Sequence, residues 1–147
     1  MSLTHRGHEQ RREAIVAALH LTEAEADAAI RSATVRATSS DEVIVNQGET
    51  AEAMFVITRG RFEVDVVGVS GATRAVQMLG PGSVFGETGL LENAPRTASV
   101  VSRAEGEVLM FTADAARAVL AGDEQAAYQV AVESQRRHEQ VYRAATE

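Results

Sequence analysis

Hydrophobic and polar positions fall into three regimes along the chain. From Arg6 to Ile30, apolar residues stand at Ile15, Val16 and Leu19, then at Leu21, Ala24, Ala28 and Ile30, in a background of Ala, Glu and Arg. That spacing is close to one face of a helix. Thr22-Glu23-Ala24-Glu25 has the Thr-x-x-Glu order, in which hydroxyl and carboxylate reciprocally satisfy the free amides of a helix start. The pattern predicts two helices, Glu9 to His20 and Glu23 to Ser32. Between Gly48 and Gly106, which bound nine of the 11 glycines, short β-branched runs take over. Glu42–Val45, Met54–Ile57, Phe62–Val67, Ala75–Leu79, Thr97–Val101 and Val108–Phe111 read as strands, several alternating with period two so that one face is wet and one buried. Turn signals separate them at Gln47-Gly48-Glu49, Arg59-Gly60, Gly68-Val69-Ser70-Gly71 and Gly80-Pro81-Gly82. After Phe111 the pattern is helical again. Thr112 can cap a helix to Leu120, and Gly122-Asp123 can end it and cap the next. From Glu124 to about Ala145, the residues Ala127, Val130, Ala131, Ser134, His138, Val141 and Tyr142 lie near one face.

Short, evenly spaced strands between helical ends predict a mainly β fold with flanking α: a β-jelly-roll barrel, with N-terminal helices and C-terminal lid helices. Strands alternating with long helices, as in a dinucleotide-binding fold, are not seen. The expected layout is one domain over residues 1–147, with helices about 9–32, jelly roll about 34–111 and C-terminal helices about 113–145.

Composition narrows the chemistry. The 147 residues, 45% hydrophobic and 24% charged, are enough for one ordinary globular core. There is no cysteine, so disulfide scaffolds, zinc-thiolate sites and thiolate nucleophiles are excluded. All 14 basic residues are Arg and none is Lys, which removes the phosphate-binding loop of nucleotide hydrolases, Schiff-base enzymes and lysine general bases. The net charge of -7 argues against direct nucleic-acid binding. No apolar run approaches the roughly 18 residues of a membrane span, and no signal-peptide segment opens the chain. The expectation is a cytoplasmic location, either free or at the cytoplasmic face of a membrane protein, without direct membrane insertion. His5, His8, His20 and His138 all lie outside the predicted strands. A metal-binding jelly roll needs His on its strands, so no metal site is expected.

One stretch, Phe85 to Val100, interrupts the strand pattern with chemistry of its own. Gly86 and Gly89 let the backbone approach a ligand closely. A short helical turn from Glu87 to Leu91 would present free N–H groups to an anion. Arg96, after the rigid Pro95, offers a planar fork of donors to the same anion. Glu87 would repel that anion and instead wants a neutral donor such as a hydroxyl. An anion beside a hydroxyl, with apolar strands nearby, fits a sugar phosphate carrying a base.

Phe85-Gly86-Glu87-Thr88-Gly89-Leu90, a short loop, then Arg96-Thr97-Ala98 closely resembles the phosphate-binding cassette of cyclic nucleotide-binding domains. Val45-Asn46-Gln47-Gly48-Glu49 and Phe55-Val56-Ile57-Thr58-Arg59-Gly60 are similar to the early barrel of that family, and the resemblance spans about Val43 to Leu120. It implies that Glu87 accepts the ribose 2′-hydroxyl and that Arg96 pairs with the cyclic phosphate. It also implies that amides around Thr88, Gly89, Leu90 and Ala98 complete the anion nest, with Gly86 admitting the backbone. Thr97 would stand near the phosphate or the purine edge, although an ordinary strand residue fits it equally well. Thr88 departs from the aliphatic residue more common in the family, and Ser102 stands where a small Ala is usual; neither removes a group the site needs.

The resemblance implies a regulatory sensor rather than an enzyme, with no catalytic residue. Its ligand would be cyclic AMP or cyclic GMP and its partner an attached effector such as a channel or transporter; a homodimer is compatible. Alternatives are the truncated sensor of a catabolite-activator-type transcription regulator, or a scaffold of the same fold that binds nothing. Tyr128, Val130 and Val132 are the expected apolar lid residues. Arg136-Arg137 reads first as a solvated face and second as a guanidinium stacked on the purine.

Overall fold

The computed structural model of the chain describes residues 3–87, 94–121 and 124–147, with side chains from residue 7 onward. Helices α1 (Leu3–Leu19) and α2 (Glu23–Ser32) lead into eight strands: β1 (Thr34–Thr38), β2 (Val43–Val45), β3 (Ala53–Arg59), β4 (Phe62–Val67), β5 (Thr73–Leu79), β6 (Val84–Phe85), β7 (Ser99–Ser102) and β8 (Gly106–Thr112). Helices α3 (Ala113–Ala121) and α4 (Glu124–Thr146) close the chain. The strands form two antiparallel four-stranded sheets, ordered β1-β8-β3-β6 and β2-β7-β4-β5. This is the jelly roll with flanking helices that the hydrophobic pattern predicts.

Strand β3 explains how the layers meet, because all but its last residue are buried. Met54 and Val56 face outward into a cluster with Ile15 and Leu19 of α1, Leu109 and Phe111 of β8, and Val130 of α4. Phe55 and Ile57 face inward, between the sheets, with Phe62, Val64, Val66, Phe85, Val100 and Val108. Period-two alternation thus divides one strand between two cores. Each fully buried Phe or Leu contributes about 1.5–3 kcal/mol. Polar clamps fix the helices on the sheet. Arg11 of α1 donates to both carboxylate oxygens of Glu107 at 2.8 and 3.0 Å, and Thr58 Oγ1 donates to the same carboxylate at 2.6 Å. Arg12 spans both oxygens of Asp27 at 2.9 and 3.1 Å, joining α1 to α2.

The Thr22–Glu25 capping box forms as predicted, and Thr22 is the N-cap of α2. Thr112 Oγ1 accepts from Ala115 N–H at 3.2 Å and so caps α3. The expected cap at Gly122-Asp123 lies outside the described residues. Helix α1 begins at Leu3 rather than at Glu9. The stretch Thr97-Ala98 is a bend, and β7 starts only at Ser99. The buried face of α4 also has a different phase: Ala126, Val130, Val141 and Ala144 are buried, whereas Ala127, Ala131, His138 and Tyr142 are exposed. Ala126 and Val130 belong to the outer cluster, Val141 and Ala144 to the inner one. A helix of 23 residues spans about 34 Å, long enough to cross from one core to the other.

On the outer face of β4, one guanidinium serves three carboxylates. Arg103 reaches Asp41 at 3.0 Å, Glu63 at 2.8 Å and Asp65 at 3.6 Å. Asp65 Oδ1 is buried without a hydrogen-bond partner among the described residues. Burial first, and then the hydrogen bond and repulsion from Glu63, push the Asp65 carboxyl up to about 6, from an ordinary value of 3.8. An acid raised on folding favours the folded state only while protonated. Its contribution is therefore lost as pH rises from about 4 through 6. Glu63 is shifted the other way, chiefly by Arg103, so its own dependence lies at lower pH. Thermal melts from pH 5 to 7.5 should show Asp65→Asn flattening the decline seen in the native chain; parallel profiles would place the buried proton elsewhere.

Candidate functional site

Phe85 stacks on Phe55 across the β3–β6 pair, with centroids 4.8 Å apart and ring planes inclined by 12°. That stack sets the position of the next residue, Gly86, whose φ of +85° lies in the left-handed region. A Cβ at Gly86 would lie 2.8 Å from Arg96 Nη1 and 3.0 Å from Ala53 O, so only glycine fits. The Arg96 guanidinium fills that space. Nη1 donates to Gly86 O, and Nη2 donates to Ala53 O at 2.7 Å. Its backbone is held as firmly: Arg96 N–H donates to Glu49 O and Arg96 O accepts from Gly48 N–H, both at 2.8 Å. Burial lowers the guanidinium pKa, opposed by Glu87 and Glu49. The remaining guanidinium N–H groups have no partner among the described residues, and an anion could meet them.

Glu87 is 1% exposed. Its Oε1 faces Arg137 Nη1 at 3.4 Å, while Oε2 is buried with no partner among the described residues. Burial pushes this carboxyl up, while Arg137, then the residue's own backbone amide, then Arg96 pull it back towards ionisation. Arg137 comes from α4 and is itself tied down: Nη2 donates to Val84 O at 2.8 Å and Nε to Gln77 Oε1 at 3.1 Å. A carboxylate oxygen without a donor, beside an anchored guanidinium, forms an acceptor for an incoming hydroxyl.

Val45, Val64, Phe85 and Val100 wall a cavity that Gly86, Glu87, Arg96, Thr97 and Ala98 share, and Arg137 and Val141 close it from α4. Its volume is about 50 Å³, far below the roughly 300 Å³ at which ligand pockets begin. The described part of the site is thus narrow, with Arg137 and Val141 of its own helix among its walls.

The structure therefore gathers Gly86, Glu87, Arg96, Thr97 and Ala98 around one cavity, with Thr97 exposed at its rim. Thr88, Gly89 and Leu90 lie outside the described residues. Ser102 is fully buried, its hydroxyl spent on Ala104 O at 2.8 Å and Thr38 Oγ1 at 3.1 Å. Two expectations about α4 are corrected. Arg137 is no solvated residue, its side chain being 12% exposed. Tyr128 is 65% exposed, Val130 packs in the outer cluster and the half-buried Val132 does not line the cavity, so the apolar group of α4 at the cavity is Val141. The signal for both was the helical stripe through Ala126, Val130, Arg137, Val141 and Ala144. Among the described residues no group of three or more His, Asp or Glu could hold a metal ion. No described helix is long and apolar enough to cross a membrane.

Comparison with known proteins bears on this geometry. A family model described as cyclic nucleotide-binding domain matches residues 35–123, more than half the chain. The chain is similar to an uncharacterised ABC transporter ATP-binding protein of Mycobacterium tuberculosis, 33% identical over 76 residues, which are 52% of this chain and 23% of that protein. It is also similar to a cAMP-dependent protein kinase regulatory subunit of Blumeria graminis, 35% identical over 81 residues, 50% of this chain and 21% of that one. These curated relatives are matched over less than a quarter of their length. Among solved structures, the catabolite activator protein of Thermus thermophilus superposes with a TM-score of 0.73 at 27% identity, over 81% of this chain and 56% of that one. A cyclic nucleotide-binding domain from Methylobacillus flagellatus superposes at 0.72 and 19% identity, over 93% and 79%; it speaks to the fold alone.

The Arg137–Glu87 pair makes a specific prediction. Removing one partner of a buried pair leaves the other uncompensated, at a cost of about 3–5 kcal/mol. Arg137→Met should lose stability on that scale in urea denaturation, and Arg137→Met combined with Glu87→Gln should lose clearly less than the sum. Additive losses would mean that the two groups do not compensate each other.

Proposed function

Since the chain belongs to the cyclic nucleotide-binding domain family, a family of regulatory modules, we propose that it is a ligand sensor and not an enzyme, taking cyclic AMP in preference to cyclic GMP. The convergence of Arg96 and the unpartnered Glu87 Oε2 on one apolar-walled cavity carries this reading. The cyclic phosphate pairs with the remaining Arg96 donors, with amides of Ala98 and of Thr88, Gly89 and Leu90 completing the nest. The ribose 2′-hydroxyl donates to Glu87. The base lies on the apolar side, towards Val64 and Val141, with Thr97 at the edge. Kinship with a cAMP-dependent kinase regulatory subunit supports the choice of nucleotide.

The closed cavity sets the mechanism. With about 50 Å³ available, ligand enters only when Arg137 and Val141 shift, so occupancy and the position of α4 are linked. That displacement is the signal passed to an effector, attached on the same chain or bound separately. Relatives that include ABC transporter ATP-binding proteins and kinase regulatory subunits support an attached effector. The likeness to the Thermus catabolite activator supports a second reading, the sensor half of a transcription regulator. It would share the same ligand site.

Two titrations by calorimetry test the reading. Arg96→Ala should weaken cyclic AMP binding by roughly two to three orders of magnitude, with Arg96→Lys recovering only part. Because Ala53 O and Gly86 O lose their donor, Arg96→Ala should also lower the melting temperature, and circular dichroism must confirm that it is folded. A folded Arg96→Ala that binds within about threefold of the native chain would move the phosphate site elsewhere. Separately, 2′-deoxy cyclic AMP should bind more weakly than cyclic AMP, and Glu87→Gln should narrow the gap. Equal affinity of the native chain for the two ligands would remove Glu87 from the site.

A further inference from the structure

The end of α4 is held by the β4–β5 hairpin. Ala145 O accepts from Val69 N–H at 3.0 Å. The approach is close: a Cβ on Gly68 would lie 2.7 Å from Ala144 O. The hairpin is in turn positioned by a side chain from another sheet position. Strand β7 begins at Ser99, opposite Asp65, so Val67, two residues further along β4, has no strand partner on that side. The Gln47 amide takes that place, accepting from Val67 N–H at 2.8 Å and donating to Val67 O at 3.2 Å. Gln47 N–H is fixed on Ser99 Oγ at 2.9 Å. A planar amide offers a donor and an acceptor side by side, as a neighbouring strand's backbone would. The next residues of the same turn, Gly48 and Glu49, hold both backbone groups of Arg96.

We propose that Gln47 is a positioning residue for a latch, formed by Gly68 and Val69 on the last turn of α4, that keeps the cavity shut and so opposes ligand. This rests on the cyclic nucleotide reading above and adds a regulation to that site. Val141, which lines the cavity from the α4 side, lies one helical turn before Ala144 and Ala145. A latch on those residues therefore stabilises the narrow cavity and has no contact with a ligand. Linkage then fixes the sign: whatever stabilises the ligand-excluding state lowers apparent affinity by the fraction of molecules that are open. Losing the latch must tighten binding. Ordinary structural damage would weaken it, so the two are separable.

Two variants test this, each checked for folding by circular dichroism. Gly68→Ala places a methyl against Ala144 O at a position with an ordinary backbone φ. Gln47→Ala removes both hydrogen bonds to Val67. Each should bind cyclic AMP about threefold to tenfold more tightly than the native chain, the scale of one or two hydrogen bonds. In the ligand-free protein, hydrogen exchange at the Val69 amide should accelerate in both. If native and variants bind cyclic AMP but the variants are equal or weaker, the latch is overturned, whatever the exchange data show. If the native chain binds neither cyclic AMP nor cyclic GMP, the functional reading fails. The latch itself is then judged by exchange: an unchanged Val69 amide in Gln47→Ala overturns it, and acceleration in both variants upholds it.

Discussion

A strand buried on both faces must satisfy two cores at once, and much of this molecule follows from β3 doing so. Its outward residues anchor the helices, and its inward residues anchor the barrel. Its first carbonyl, at Ala53, is pinned by Arg96, and its Phe55 ring sets Phe85 and hence Gly86. The described part of the site therefore rests on a strand buried from Ala53 to Thr58, a firm support for its geometry. Helix α4 obeys the same constraint at larger scale. Its first half belongs to the helical layer, its second to the barrel interior, and the polar Arg137 sits where the stripe passes from one to the other.

The buried charges explain why a closed site is stable. Glu87 and Arg96 cannot be left bare in a low-dielectric interior. The closed state answers with protein groups: Arg137 for Glu87, and the carbonyls of Gly86 and Ala53 for Arg96. A ligand bringing a phosphate and a hydroxyl presents the complementary set. The two sets differ: a ligand would meet the remaining Arg96 donors and Glu87 Oε2, while Arg137 answers Oε1. Occupancy is therefore decided by what Arg137 loses on moving against what the ligand adds.

Much of this was legible in the residues. Strands β2, β3, β4, β5 and β8 coincide with β-branched or aromatic runs, and Thr22–Glu25 and Thr112 announce their caps by local hydrogen-bonding chemistry. Strand β1 did not stand out, because Thr34-Val35-Arg36-Ala37-Thr38 has no apolar run and is a strand through its pairing with β8. Strand β6 is only two residues. In the site, Gly86, Glu87 and Arg96 are contiguous enough for a motif to reveal them. Arg137 is fifty positions from Glu87, and which face of α4 turns inward is decided by packing against both cores, which no local rule encodes. Placing Ala127, Ala131 and Tyr142 on the buried face put the stripe about one position out of phase. At the helical rotation of about 100° per residue, that was enough to send Arg137 to solvent. Arg96 was legible as a candidate ligand group but not as a suture between β3 and β6, since its carbonyl partners are backbone atoms of residues that carry no matching side chain.

That double employment has a consequence for how such a sequence can change over generations. Gly86 is confined to glycine by the Arg96 guanidinium and the Ala53 carbonyl as well as by its own φ. A lineage that abandons the ligand and replaces Arg96 with a small residue would leave two carbonyls wanting a donor and a cavity wanting volume. The cheapest repair is a polar side chain able to reach Ala53 O from the neighbouring backbone. Loss of the arginine should therefore travel with a new polar residue near Ala53 O while Gly86 stays glycine, held by its φ of +85° and by Ala53 O. A decayed sensor would betray itself by that compensating change rather than by a single missing residue.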